Sequence, residues 1–385
     1  MKILYVAPRY HTNQVPIMKG WNECGVEVDF LAQYEGISEV HDYVQFFLME
    51  PTKGSQRLFK KIEATNPPDV AESIKIKKFS PRLLDVYKKL KKSKPDIVVL
   101  REFSKVNAIV IIACRLAKIK KIVMYVQAPI YNFKQEMKVG KKLFRKCFFT
   151  SCTFTPVLYK GNERSENKIY SYPGSPRYFI PLVCDLDENE KKYSHDGIIR
   201  ILDVGKYRDY KNHFFLVEAI RNLTNKNNIH VTIIGQVSNS SEREYFDRLH
   251  NTIINYNLEK YIELKSNVPF YEMENIYREH DVLILPSTNE TAGMVILEAM
   301  ASGLCVISSI HCGLASYLDK YKCGFTFDID TTKELEMILT SLNENPSLVS
   351  EYGGKSKKVV REFFQFENYK AAFNKMILDY YGEEI

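Results

Sequence analysis

No stretch of this sequence holds the ~18 consecutive apolar residues that a membrane-spanning helix needs. The best run, residues 108–113, gives way to Arg115. The opening residues, MKILYVAPRY, have too short an apolar stretch before Arg9 for a secretory signal and read instead as a first strand. Together these absences lead to the expectation of a cytoplasmic protein. The eight cysteines (Cys24, Cys114, Cys147, Cys152, Cys184, Cys305, Cys312, Cys323) are scattered, with no C-x-x-C pair and no ligand-like histidine spacing. They read as reduced, mostly buried thiols, which sets aside a disulfide scaffold or a structural zinc site. There is no fixed-period repeat and no low-complexity tract, so solenoid and disordered classes are excluded as well.

What remains is the composition of an ordinary soluble globular protein, with 45% hydrophobic and 26% charged residues over a length sufficient for two domains. The net charge of +7 is unevenly spread: residues 1–190 carry 32 Lys and Arg against 20 Asp and Glu, and the remainder carries 22 against 27. The excess sits in KIKKFSPRLLDVYKKLKKSK (75–94) and KVGKKLFRK (138–146). Solvated helix faces account for such runs. So do an anionic membrane surface and a phosphate-bearing acceptor. Nucleic acid is set aside, because no recognised module or basic-aromatic platform accompanies the charge.

Along residues 1–185 short apolar runs alternate with helical spacing: strand 2–7, helix 14–24 ended by Gly25, strand 26–32, an irregular stretch, helix 81–93, strand 96–100, helix 106–117 and strand 121–126. This order predicts a parallel sheet covered on both faces, with a ligand crevice beyond the carboxyl ends of its strands. The loops 8–13, 101–104 and 127–131 should line it. Residues 181–197 lose periodicity and become charged, as a linker does. The alternation then restarts, with strands 199–204, 230–234, 261–264, 282–285 and 305–308, and helices 213–223, 242–256, 271–279, 333–343 and one opening near 292. The expectation is an α/β protein of two facing doubly wound, Rossmann-like domains, 1–184 and 185–360. A C-terminal helix, 361–385, carries an aromatic stripe that covers apolar surface on one or both of them.

Two stretches of the second domain carry chemistry. The first is GKYRDYK (205–211), after the first strand of that domain. Gly205 allows a tight exit, and Lys206 and Lys211 offer charge-assisted hydrogen bonds to a phosphate; Arg208 stays open. The second is DVLILPSTNETAGMVILEAMASG (281–303), a strand, a polar turn and a nearly all-apolar helix. With a helix start near Ala292 and Thr291 as N-cap, the backbone amides around Thr291, Ala292, Gly293 and Met294 make an anion site. Glu290 and Glu298 flank it. Carboxylates suit hydroxyls, not phosphates, so the spacing fits a diphosphate at the helix mouth, a ribose against Glu298 and a sugar against Glu290.

These residues resemble the retaining glycosyltransferases of the GT-B fold in glycosyltransferase family four (group 1). The matching marks are Glu290 and Glu298 of the Glu-x7-Glu pair, EAMASG (298–303), DVLILPS (281–287), and Gly205, Lys206 and Lys211 of a G-[RK]-x4-K element. Residues 180–185 resemble the interdomain I-P-x-x-x-D. The resemblance implies transfer from a nucleotide-sugar donor, with retention at the anomeric carbon and no bound metal or other cofactor. Lys206 and Lys211 would hold the diphosphate, Glu298 the ribose and Glu290 the sugar hydroxyls. A UDP- or GDP-sugar would be the donor. A saccharide or lipid-linked saccharide would be the acceptor, in polysaccharide or glycoconjugate assembly, with peripheral contact to an anionic inner membrane face. His11 and Gln127 stand on the acceptor side.

Departures from the pattern are visible. The loop after the first strand, PRYHTNQ, lacks glycine; Gln127 stands where many members place His; Leu304, Cys305 and Ser316 replace the usual G-x-P-V and Glu. The D-x-D strings at 185–187 and 328–330 read as coincidental rather than metal-binding. Two other readings stand beside the first: a nucleotide-sugar epimerase of the same architecture, and a non-catalytic binding subunit.

Overall fold

The computed structural model describes residues 1–36, 41–102, 104–126, 152–156, 177–193 and 196–383. The chain divides into two units. Residues 1–156, 169–183 and 366–385 form the first, and residues 157–168 and 184–365 the second.

The first unit is a seven-stranded sheet: β1 (Lys2–Ala7), β2 (Glu27–Ala32), β3 (Gln45–Leu48), β4 (Ile97–Arg101), β5 (Lys121–Tyr125), β6 (Thr153–Thr155) and β7 (Arg177–Phe179). The spatial order is β3-β2-β1-β4-β5-β6-β7, all parallel. Side chains alternate across a strand, so β1 feeds two cores at once. Ile3, Tyr5 and Ala7 join one cluster, while Leu4 and Val6 join the other. That is why ILYVA, residues 3–7, is apolar throughout. The helices are α1 (Val15–Glu23), α2 (Lys53–Thr65), α3 (Pro68–Lys78), α4 (Leu83–Ser93) and α5 (Lys105–Leu116). The stretch read as irregular between β2 and α4 therefore holds β3, α2 and α3. Its signal is weak because β3 is a four-residue edge strand and α3 ends in Lys75, Lys77 and Lys78.

The single tryptophan lies at the centre of this unit. Trp21 of α1 is fully buried, donates from Nε1 to the Tyr5 hydroxyl at 2.9 Å, and meets the rings of Phe366 and Phe373 edge-on at 5.2 and 5.4 Å. Those two rings belong to the last helix, α13 (Phe366–Tyr381). Gly20 lets that helix in: a Cβ there would sit 2.1 Å from Phe366 Cγ. The aromatic C-terminal segment is thus two helices. One ends at Phe363 in the second unit, and the other lies on α1 in the first.

The second unit contains β8 (Ile199–Val204), β9 (Ile229–Gly235), β10 (Ile262–Ser266), β11 (Val282–Leu285), β12 (Cys305–Ser309) and β13 (Gly324–Phe327). They are parallel in the order β10-β9-β8-β11-β12-β13. The helices are α6 (His213–Asn222), α7 (Ser240–Asn255), α8 (Met273–Glu279), α9 (Met294–Ala301), α10 (Ala315–Tyr321), α11 (Lys333–Glu344) and α12 (Ser347–Phe363). In both sheets the winding direction reverses once, between β1 and β4 and between β8 and β11. Ligands of open α/β sheets bind at the carboxyl ends of such neighbours. Among the described residues the seven cysteines are free thiols, and no helix is long and apolar enough to cross a membrane.

The segment leading into the second unit is tied down by charge. Asp187, within one of the D-x-D strings, accepts from Arg278 Nε at 2.6 Å and from the Asn189 side chain at 2.8 Å. Burial works against this carboxylate, but the bonds from Arg278 and Asn189 outweigh it and bring its pKa down to about 2. A carboxyl with a depressed folded-state pKa contributes stability above its unfolded value near 4 and loses it as pH falls toward 2. Asp187→Asn should therefore lower the melting temperature at pH 7 by about 2–6 °C. It should also flatten the acid limb of stability between pH 4 and 2, as read by thermal unfolding across pH.

Candidate active site

The loops that leave β8 and β11 emerge side by side at the reversal point of the second sheet, and backbone bonds stitch them together. Thr288 N–H donates to the Tyr210 carbonyl at 2.8 Å, and Asn212 Nδ2 donates to the Pro286 carbonyl at 3.3 Å. Residues 205–211 are pinned from beneath. The Tyr207 hydroxyl donates to the Lys265 carbonyl at 2.7 Å, and Gly205 N–H donates to the Ile234 carbonyl at 2.9 Å. His213 and Asp203 are both fully buried, with Nδ1 and Oδ2 2.8 Å apart. The other ring nitrogen of His213 lies 3.3 Å from the Lys206 carbonyl.

From this frame Lys211 reaches across to Glu290, Nζ to Oε2, at 2.6 Å. The lysine side chain is 10% exposed and the glutamate 23%. Burial alone would push the Lys211 pKa down; the carboxylate of Glu290, with help from Tyr210 and Asp203, more than offsets this and holds it above its usual value. Gly205 makes room for the lysine stem: a Cβ at 205 would stand 2.9 Å from Lys211 Cδ and 3.0 Å from Cε. Gly235 serves the same corner, since a Cβ there would lie 2.4 Å from the Gly205 carbonyl oxygen.

Glu290 is fixed by its own backbone. It bridges Cys312 in parallel register, donates from N to the His311 carbonyl at 3.2 Å, and accepts from Gly313 N at 3.0 Å. Ala292 accepts from Leu314 N at 3.0 Å. The helix begins later than its sequence implies. It opens at Met294, and the capping position is Gly293 in a left-handed conformation (φ +78°) with no side-chain cap. Thr291 is therefore not the N-cap. The glycine conformation turns the chain into the helix there, which leaves the Thr291–Gly293 backbone as part of the turn before the mouth.

Glu298 lies one turn further along α9, half-buried, among Ile296, Leu297, Ala299 and Met300, all buried. The phenol of Tyr277 donates to its Oε2 at 2.7 Å. Burial raises the Glu298 pKa, opposed by the Tyr277 hydrogen bond and by the charge of Lys211. Arg208, left open on sequence, is held by Glu242. Its Nε lies 2.7 Å and its Nη2 2.6 Å from Oε1 of that carboxylate, which also accepts from Ser238 in the turn before α7. Lys206 is half-buried in the same loop as Lys211.

Gly205, Lys206, Lys211, Glu290, Thr291, Ala292, Gly293, Met294 and Glu298 are thus all carried by the second unit, on two loops and one helix. His11 belongs to the first unit, in the turn after β1, where its backbone N–H donates to Gln14 Oε1 at 3.1 Å. Gln127 lies outside the described residues. Sequence reasoning did not find Tyr277, the His213–Asp203 pair or the 311–314 loop. Each acts through a contact made across at least one other element, and none stands at a spacing that announces it. The one available signal was Tyr277 four residues before Asp281, on the helix that feeds β11.

Lys206 and Lys211 share a loop beside the mouth of α9, where an anion site is expected, and its test needs only an anion. Gly205→Ala pushes the Lys211 stem away from its seat. Loss of one charge-assisted bond is worth ~1.5–3 kcal/mol, so inorganic pyrophosphate should bind about tenfold more weakly or worse in calorimetry. The fold, read by circular dichroism, should stay intact.

Residues 186–359 match the family model described as glycosyl transferases group 1. The chain is 26% identical over 321 residues to the Escherichia coli UDP-Gal:alpha-D-GlcNAc-diphosphoundecaprenol alpha-1,3-galactosyltransferase, covering 78% of this chain and 79% of that one. It is 25% identical over 199 residues to the human GDP-Man:Man(3)GlcNAc(2)-PP-Dol alpha-1,2-mannosyltransferase, covering 50% of this chain but only 38% of that relative's length. Among solved structures it resembles Anabaena HepE in complex with UDP-glucose, with a TM-score of 0.68 at 14% identity over 98% of this chain and 99% of that one. That likeness, between chains so different in sequence, concerns the fold. The chain thus has two Rossmann-like parallel sheets of GT-B type, and its second unit, through residues 186–359, matches the glycosyl transferases group 1.

Proposed function

We propose that the protein is a retaining glycosyltransferase that moves a sugar from a UDP- or GDP-sugar to a saccharide or lipid-linked saccharide acceptor. The observation that carries this reading is the Lys211–Glu290 pair at the reversal point of the second sheet, beside the mouth of α9. A diphosphate and a sugar hydroxyl are complementary to it in turn. The phosphates take Lys211, and the hydroxyls donate to the Glu290 carboxylate that the lysine releases.

In this mechanism the protein acts mainly on the leaving group. As the bond from the anomeric carbon to the phosphate oxygen breaks, negative charge grows on the diphosphate. Lys206, Lys211 and the amides at the Met294 helix mouth stand ready to receive it, with no reorganisation needed at the moment of reaction. Glu298 holds the ribose, one turn further along α9. The acceptor oxygen attacks from the side that the diphosphate leaves, and a phosphate oxygen of the donor takes its proton, so the anomeric configuration is retained. The two lysines supply the neutralising charge, and no metal is required.

On the acceptor side the support comes from charge. Helix α4 exposes Lys88, Lys91 and Lys92 together with Leu83 and Leu84, 39% and 56% exposed. Lysines around exposed leucines favour a peripheral site on the inner, anionic face of a membrane. The names of the bacterial and human relatives both specify lipid diphosphate-linked glycans, which supports an acceptor of that class.

A panel of UDP-, GDP- and ADP-sugars tests the proposal, first by thermal shift and then by proton NMR of the best binder. One nucleotide sugar should raise the melting temperature. It should be hydrolysed slowly without acceptor, releasing sugar of unchanged anomeric configuration, at the same rate in EDTA. Glu290→Ala should cut that rate by about 10²-fold or more. Binding of no nucleotide sugar would sink the proposal. Mass-neutral conversion of the donor would replace it with an epimerase, and binding without turnover with any acceptor would point to a non-catalytic subunit.

A further inference from the structure

We propose that Tyr277 is a positioning residue for the nucleotide ribose, acting by fixing the carboxylate of Glu298. The proposal rests on the assignment of Glu298 to the ribose and adds how that carboxylate is aimed. Glu298 is a long side chain on a helix whose neighbouring residues are apolar, so nothing on α9 itself holds it. Among the described residues its carboxylate is held by Tyr277, whose phenol oxygen lies 2.7 Å from Oε2. The ring of Tyr277 is 4% exposed, so its hydroxyl has few other places to point. Burial and the charge of Glu298 raise the phenol's pKa well above its usual value, which keeps it a donor at neutral pH.

The helix that carries Tyr277 is anchored more heavily than seven residues would need for packing alone. The ammonium of Lys191 donates to three carbonyls at its C-terminal end: Tyr277 at 3.2 Å, Arg278 at 2.6 Å and His280 at 2.5 Å. A cation there also matches the negative end of the helix dipole. Arg278 is held by Asp187, and His280 lies 2.7 Å from the Ile276 carbonyl and 3.1 Å from Thr232 Oγ1. A residue in this setting has little freedom. Its hydrogen bond therefore holds Glu298 in one rotamer, with Oε1 and the remaining lone pairs available to a pair of ribose hydroxyls. Without the bond, each binding event would have to order the glutamate side chain first.

The test compares ribose with 2′-deoxyribose. Dissociation constants for UDP and 2′-deoxy-UDP, and for GDP and 2′-deoxy-GDP, are measured calorimetrically on the full chain. The pair that wild type binds more tightly is carried through Tyr277→Phe, Glu298→Gln and the double variant. Wild type should prefer the ribonucleotide by about tenfold, the value of roughly one well-made hydrogen bond to a charged group. Tyr277→Phe should weaken the ribonucleotide about five- to tenfold and barely move the deoxynucleotide, so the preference narrows. Turnover at saturating donor should stay within about twofold, an effect on KM and not on kcat. In the Glu298→Gln background the Phe substitution should change nothing further.

A preference left at the wild-type value by Tyr277→Phe, while Glu298→Gln abolishes it, would overturn the positioning role and leave the ribose assignment standing. A preference unmoved by Glu298→Gln would overturn the ribose assignment itself. If Tyr277→Phe failed to fold, Lys191→Met would stand in. It loosens the end of the same helix without touching the phenol, and it should narrow the preference in the same direction. An unchanged preference in a folded Lys191→Met would count against the proposal.

Discussion

The second unit is built around a single ion pair, Lys211 on Glu290, made between two loops that leave neighbouring strands at the reversal point of the sheet. Neither charge is comfortable alone, since both side chains are largely shielded from water and an unpaired partner would be left with its desolvation cost. That constraint explains the glycines around it. Gly205 clears the lysine stem, Gly235 clears Gly205, and Gly293 turns the chain into α9 without filling the corner. It also explains why the pair suits chemistry. A nucleotide sugar offers a diphosphate to the lysine and hydroxyls to the glutamate, so exchanging partners leaves no charge stranded.

A second tier of contacts holds the first in place. The His213–Asp203 pair sits under the Lys206 carbonyl, Glu242 ties down Arg208, and the 311–314 loop fixes Glu290 and Ala292 from the far side. Behind Glu298 the sequence of supports is Tyr277, helix α8, Lys191 and Asp187. His213, Asp203, Glu242 and Tyr277 are buried and polar, and buried polar groups are retained only where partners satisfy them.

The strands were legible in the sequence because period and composition encode them locally. KILYVA, IVVLR and VLIL read as two-sided buried strands and are found as β1, β4 and β11. The edge of the first sheet was not, because β3 has only four residues and α3 carries its lysines on a weak amphipathic pattern. The start of α9 was misplaced because TNETAG offers a threonine where capping residues usually stand, while the backbone turns at Gly293 instead. Arg208 could not be assigned because its partner, Glu242, lies thirty-four residues away on another helix. Tyr277 was hidden likewise, twenty-one residues from Glu298 in sequence. Motifs record which residues a site needs, but the contacts that aim them are made by residues that carry no motif.

A donor diphosphate should take Lys211 from Glu290. A crystal structure of the protein with the nucleotide sugar it binds most tightly addresses this directly. Phosphate oxygens should lie within hydrogen-bond distance of Lys211 Nζ and of the amides at the Met294 helix mouth, with the Glu290 carboxylate turned onto the sugar hydroxyls. A donor bound elsewhere, or one bound at this corner with the 2.6 Å Lys211–Glu290 pair intact, would contradict it.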